Sequence, residues 1–138
     1  MTRWLPHLHL RRWGRFNIVG LTGFAVQLAL VALLTRLCGW HYVPATALAM
    51  AIVVVQNYLA HARWTWADRP PRSARDRRLR RVRYGAAKSL SLTANVTLTA
   101  ALVSRAGLTP ELGTVIAVAA CAIFNYAAAD RIVFRSDA

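Results

Sequence analysis

Four apolar runs, each about 20 residues long, decide what this chain can become. They cover residues 17–37, 43–62, 84–104 and 109–129. At about 1.5 Å per residue, a helix of that length crosses a hydrocarbon core of about 30 Å. Inside that core the backbone has no water to bond, so only helices and closed barrels can span it. The third run tests the helical choice. Ser89, Ser91, Thr93, Asn95, Thr97 and Thr99 alternate with mostly apolar neighbours, which is the period of a strand. The other three runs show no such alternation, and a lone membrane strand has no barrel to join. The reading is therefore an all-α membrane protein with four transmembrane helices. In the third, Lys88, Ser91, Asn95 and Thr99 share a face, with Ser89, Thr93 and Thr97 on a neighbouring stripe. Together they are expected to turn a broad, mildly polar surface away from lipid.

The charge supports a membrane protein and sets its orientation. The chain is 57% hydrophobic yet carries a formal net charge of +13. A nucleic-acid-binding domain this basic would not also be this apolar, so no nucleic-acid partner is expected. The arginines cluster outside the apolar runs: Arg3, Arg11, Arg12 and Arg15 at the amino end, and Arg131 and Arg135 at the carboxyl end. A further nine lie between Arg63 and Arg83. Only Arg36 and Arg105 lie near the two short turns. The positive-inside rule then places both termini and the central segment in the cytoplasm, so both hairpins enter from the same side. The first apolar run is too long for a cleavable signal and reads as a helix that directs its own insertion. Cys38 and Cys121 fit neither a disulfide framework nor a zinc site and read as small packing residues.

The two halves match under a shift of 68 residues without a gap. Arg15 falls on Arg83, Phe16 on Tyr84, Gln27 on Asn95 and Gly39 on Gly107. Asn57-Tyr58 falls on Asn125-Tyr126, Arg63 on Arg131, and Trp66 on Phe134. With both hairpins entering from one side, this is a parallel repeat about an axis along the membrane normal. The whole chain, 1–138, reads as one membrane domain. It comprises a basic interfacial arm (1–15), a first repeat (16–66), an arginine-rich cytoplasmic loop (67–82) and a second repeat (83–134). The loop reads as a binding segment for anionic lipids, with docking of an acidic partner as the alternative. Trp64, Trp66 and Phe134 read as interfacial anchors.

Arg15-Phe16-x-x-Val19-Gly20 opening one helix, then Asn57-Tyr58 closing the next before Arg63-Trp64-Thr65-Trp66, resembles the GtrA-like family of small four-helix membrane proteins. Arg83-Tyr84 through Asn125-Tyr126 and Arg131-Ile132-Val133-Phe134 repeats the pattern more loosely. The resemblance implies a bacterial cytoplasmic membrane protein of cell-surface polysaccharide synthesis. Such a protein would flip a polyprenyl-phosphate-linked sugar across the membrane, or anchor a glycosyltransferase that uses one. The sequence departs from the family where Gln27 replaces a common acidic residue and His61 a common Asn. Lys88 also stands where the first copy has Gly20.

Position and chemistry then nominate residues for such a task. Arg15, Arg63, Arg83 and Arg131 flank the helices on the expected cytoplasmic side, and guanidinium groups bind phosphate bidentately. Lys88 lies more than a turn inside the third run, where a cation is costly unless it snorkels or is paired; Asp130 is its candidate partner. Gln27, Asn57, His61, Asn95, Asn125 and Asp130 supply polar groups for a sugar path. Each has a plainer reading as polar contact between helices, and the arginines as topological anchors. No Walker loop, metal-ligand cluster or nucleophile elbow is present, so an enzyme is not expected and no cofactor is implied. A small multidrug-type exporter would need a buried carboxylate mid-membrane, and none is evident. Four helices make a narrow bundle, which favours a dimer.

Overall fold

The computed structural model describes residues 5–135, all of whose regular structure is helical. Helix α1 spans Leu5–Ala32 and runs into a π-helical segment, Leu33–Leu37. Helix α2 spans Tyr42–Ala60 and passes into a second π segment, His61–Thr65. Helix α3 spans Ala74–Ala106; α4 spans Pro110–Ala128 and ends in a third π segment, Ala129–Val133. The alternating stretch around Ser89–Thr99 is thus helix, as the barrel argument requires. The chain divides into two compact units between Pro70 and Pro71, each a helical hairpin.

The helix ends follow from local chemistry. Gly39 and Gly107 take φ of +67°, a left-handed conformation that a glycine enters without a Cβ penalty. After Gly107 the Leu108 N–H returns to the Leu102 carbonyl at 3.3 Å, closing the end of α3. His41, Ser73 and Thr109 cap α2, α3 and α4 by accepting from the backbone N–H of Val43, Asp76 and Leu112. Asp76 extends the α3 cap, accepting from the Arg72 N–H and from Arg80 Nε, each at 3.1 Å.

Two expected boundaries shift. The basic arm is helical from Leu5 and continuous with α1; Arg3 and Trp4 lie outside the described residues. The arginine-rich segment is not a loop through residue 82, because the Ser73–Asp76 cap starts α3 at Ala74. Ten residues of that helix therefore precede the apolar run.

In the first hairpin, Phe16 and Val19 of α1 are buried with Ala45, Ala49, Val53 and Asn57 of α2. The four-residue spacing of the latter set places small side chains along one stripe, which lets the helix backbones approach closely. In the second, Tyr84 and Ser91 of α3 and Ala117, Cys121 and Ala128 of α4 are buried. Lys88, Asn95 and Thr99 are half-buried, but Ser89, Thr93 and Thr97 are exposed, so the inward polar surface is narrower than the sequence suggests. The reason is local: Thr93 and Thr97 donate to the carbonyls four residues back, at 3.1 and 2.8 Å. Hydroxyls satisfied by their own helix need no neighbour.

Among the described residues, three stretches are long and apolar enough to cross a membrane: Leu10–Leu37, Tyr42–Thr65 and Leu112–Val133. Helix α3 is the longest of the helices but is not among them, because Lys88, Asn95 and its hydroxyls dilute its apolar character.

Candidate functional site

Each hairpin closes on the same piece of geometry. The α-to-π change at the end of α2 creates a bond from Trp66 N–H to the His61 carbonyl at 2.8 Å. At the end of α4 the Phe134 N–H bonds the Ala129 carbonyl, also at 2.8 Å. These turns bring Trp66 and Phe134 inward, where they are 0% and 1% exposed. Neither is an interfacial anchor, contrary to the sequence expectation; Trp64, 42% exposed, remains available for that role. Cys38 also departs from expectation: it is exposed, whereas Cys121 packs inside its hairpin.

Around Trp66 the first hairpin builds an aromatic cluster. Phe16 stacks on His61 with ring centres 4.9 Å apart, and Trp66 meets both rings edge-on. His61 is 1% exposed, and its Nδ1 lies 3.1 Å from Thr65 Oγ1. The structure therefore places His61 inside the packing of the hairpin. Trp13 extends the cluster beside Phe16, at 6.3 Å.

The repeat-related arginines occupy matched positions. Arg15 Nη1 donates to the Trp64 carbonyl at 3.0 Å, with its guanidinium 5.4 Å from the Trp64 ring centre. Arg83 Nη1 donates to the Ile132 carbonyl at 3.4 Å. Both bonds satisfy carbonyls at a helix end, where the chain offers no further N–H and the helix dipole favours a cation. Arg63 and Arg131 each immediately precede the residue so held. Both are exposed, and neither has a hydrogen bond or ion pair among the described residues.

Arg63, in the π segment that follows α2, stands at one end of a shallow, open groove along that helix. Ile52, Val55, Gln56, Leu59 and Ala60 line the rest of its volume of about 520 Å³. The groove is an apolar wall with one amide and one guanidinium, suited to a long apolar chain with an anionic head. Gln56 and the aliphatic residues were not singled out from the sequence. Their spacing from 52 to 63 marks one helical face, distinct from the 45–49–53–57 face.

The remaining candidates are dispersed along the hairpins. Asn57 is 7% exposed, and its Oδ1 has no hydrogen-bond partner among the described residues. It packs against Gly23, where an added Cβ would lie 2.9 Å from Asn57 Cγ. Gln27, on the same face of α1 as Gly23, is half-buried. Asn95 on α3 and Asn125 on α4 are half-buried, as is Asp130 in the first turn of the last π segment. Lys88 extends over the Tyr84 ring, with Nζ 5.6 Å from its centre. Among the described residues no cluster of His, Cys, Asp or Glu could hold a metal ion.

Apolar helices of spanning length, folded as hairpins with their arginines gathered at the ends, define a helical integral membrane protein. The chain belongs to the GtrA/DPMS transmembrane-domain family, whose model matches residues 15–134. That match opens on Arg15, which binds the Trp64 carbonyl, and closes on Phe134, buried in the second hairpin. No curated protein matches the chain. Membership points to work on sugar-carrying lipids.

Proposed function

We propose that the protein is a four-span translocase that carries a polyprenyl-phosphate-linked sugar across the bacterial cytoplasmic membrane for surface polysaccharide synthesis. The observation that carries this reading is the α2 groove, apolar along Ile52, Val55 and Leu59 and ending on Arg63. An isoprenoid chain matches its walls, and a lipid phosphate matches the unpartnered guanidinium. Arg131 is the equivalent contact of the second repeat, with Lys88 a third cation inside it. Arg15 and Arg83, already bonded to carbonyls, hold the phosphate-facing ends in shape. Asn57, Asn95, Asn125, Gln27 and Asp130 offer hydrogen bonds to sugar hydroxyls as the headgroup crosses; His61 we assign to the packing that supports them. The helix α3 completes the four spans with its polar face inward, and both termini lie in the cytoplasm. No bond is made or broken, so no enzyme activity or cofactor is invoked. A homodimer supplies the width that one four-helix chain lacks.

Reconstitution in liposomes with a short-chain polyprenyl-phosphate sugar tests the reading. Protein-dependent appearance of the lipid at the opposite leaflet supports it, as does its loss in Arg63→Gln and Arg131→Gln. Folded protein that moves no lipid but captures a glycosyltransferase would replace translocation with the anchoring role.

A further inference from the structure

The chain has few acids, and the fold uses those beside its arginine-rich segment. Asp68 pairs with Arg12, and Asp76 pairs with Arg80, which is buried. Arg75, Arg77, Arg78 and Arg81 are left exposed, and their side chains have no ion pair or hydrogen bond among the described residues. They stand on the first turns of α3, which the Ser73 and Asp76 caps hold helical. Leu79 and Val82 lie among them and are 41% and 63% exposed. A helix that interleaves free guanidinium groups with bare aliphatic side chains fits a boundary that is anionic on one side and apolar on the other.

A second observation concerns the same helix. In the first hairpin α1 is apolar enough to span on composition, and its Arg12 and Arg15 are already bonded. In the second, α3 falls short on composition and carries the four unpaired arginines. The helix with the weakest apolar hold on a bilayer thus has the strongest electrostatic one available.

We infer that the first turns of α3, through Arg75, Arg77, Arg78 and Arg81, dock on anionic phospholipid headgroups, and that this contact sets the depth of α3 in the bilayer. The depth of Lys88, Ser91 and Asn95 then varies with the anionic lipid content of the leaflet. The inference rests on the preceding reading only in placing α3 in the membrane. None of the four arginines belongs to the proposed sugar-lipid site, so the two can fail separately.

The test uses the full chain in nanodiscs of phosphatidylcholine with or without phosphatidylglycerol. Lipid retained per chain after transfer to detergent is measured by mass spectrometry. Wild type should retain phosphatidylglycerol preferentially, and salt should weaken the retention. Each Arg→Gln change should cost about fivefold, and all four together about six-hundredfold if they act independently. Four Arg→Lys changes should restore most of it, since the contact needs charge more than fork geometry. Equal retention of the two lipids by wild type, or undiminished phosphatidylglycerol in the fourfold Gln variant with unchanged helix content, would overturn the inference. Displacement by free glycerol phosphate at matched phosphate concentration would assign the surface to a soluble anion instead. Depth is read by labelling Ser104→Cys, in a Cys38→Ser background, with an impermeant maleimide. Its reactivity should change when phosphatidylglycerol is omitted, and should be insensitive to lipid in the fourfold variant. Identical labelling of the otherwise wild-type helix in both lipids would refute the control of depth.

Discussion

The side chain of Asn57 occupies the space that a Cβ on Gly23 would need. A built Cβ meets Asn57 Nδ2 at 2.6 Å and Cγ at 2.9 Å, well inside contact distance. The closeness of α1 and α2 at this level therefore depends on both residues. Gly23→Ala should destabilise the first hairpin by about 1–3 kcal/mol through overpacking. Adding Asn57→Ala should recover part of that loss, giving a non-additive double-mutant cycle. Gly20→Ala, with open space around its position, should be neutral or slightly stabilising. Unfolding in mixed micelles checks all three, and additive effects at Gly23 and Asn57 would contradict the contact.

The two tryptophans two residues apart should respond in opposite ways. Trp66 is fully buried against Phe16 and His61, so Trp66→Ala should cost about 3–5 kcal/mol. Trp64→Ala removes a ring that is largely outside the core and leaves the carbonyl accepting from Arg15 in place. It should cost about 1 kcal/mol or less, chiefly the lost cation–π contact. Equal losses would mean that Trp66 does not hold the hairpin end.

The arginine–carbonyl bonds should be unequal although they are repeat-related. Arg15 makes the shorter bond and also rests on the Trp64 ring, whereas Arg83 bonds Ile132 at 3.4 Å. Arg15→Gln should destabilise its hairpin by about 1–2 kcal/mol, and Arg83→Gln by less than half of that. Unfolding of the single variants, followed by hydrogen exchange at the ends of α2 and α4, would separate the two.

Much of this arrangement is legible in the residues alone. The apolar runs located the helical hairpins, because their length and their need for internal hydrogen bonding leave little else. The 68-residue register anticipated paired features, and the φ of +67° at both Gly39 and Gly107 is one of them. What escaped was whatever depends on local bonding beyond α periodicity. The π segments leave no mark in an α-helical pattern, so Trp66 and Phe134 looked like surface aromatics. The cap of Ser73 and Asp76 was legible in principle, but the density of arginines around it read as a loop. Hydroxyl bonds from Thr93 and Thr97 to their own helix likewise decide which polar residues face outward, and spacing alone does not reveal them. The groove residues Ile52, Val55 and Leu59 carry no signal of their own in the sequence, because an apolar helix face that lines a groove reads the same as one that meets lipid.

The Asp76 cap makes the start of α3 dependent on pH. Desolvation, the largest single influence, would raise its pKa. The hydrogen bonds from Arg80 and the Arg72 N–H, with the charges of Arg80 and Arg83, outweigh it and hold the group below its ordinary 3.8. A carboxylate whose pKa is lowered by folding stabilises the folded form above its unfolded pKa, and that contribution disappears as pH falls through the lower folded value. The start of α3 should therefore be insensitive to pH from neutrality down to the ordinary carboxylate range, and fray only in stronger acid. Asp76→Asn should remove this acid transition and lower cap stability by about 0.5–2 kcal/mol at neutral pH. Amide exchange of residues 74–80 in detergent-solubilised protein measures both effects. A variant that frays in acid like wild type would show that Asp76 does not control the helix start.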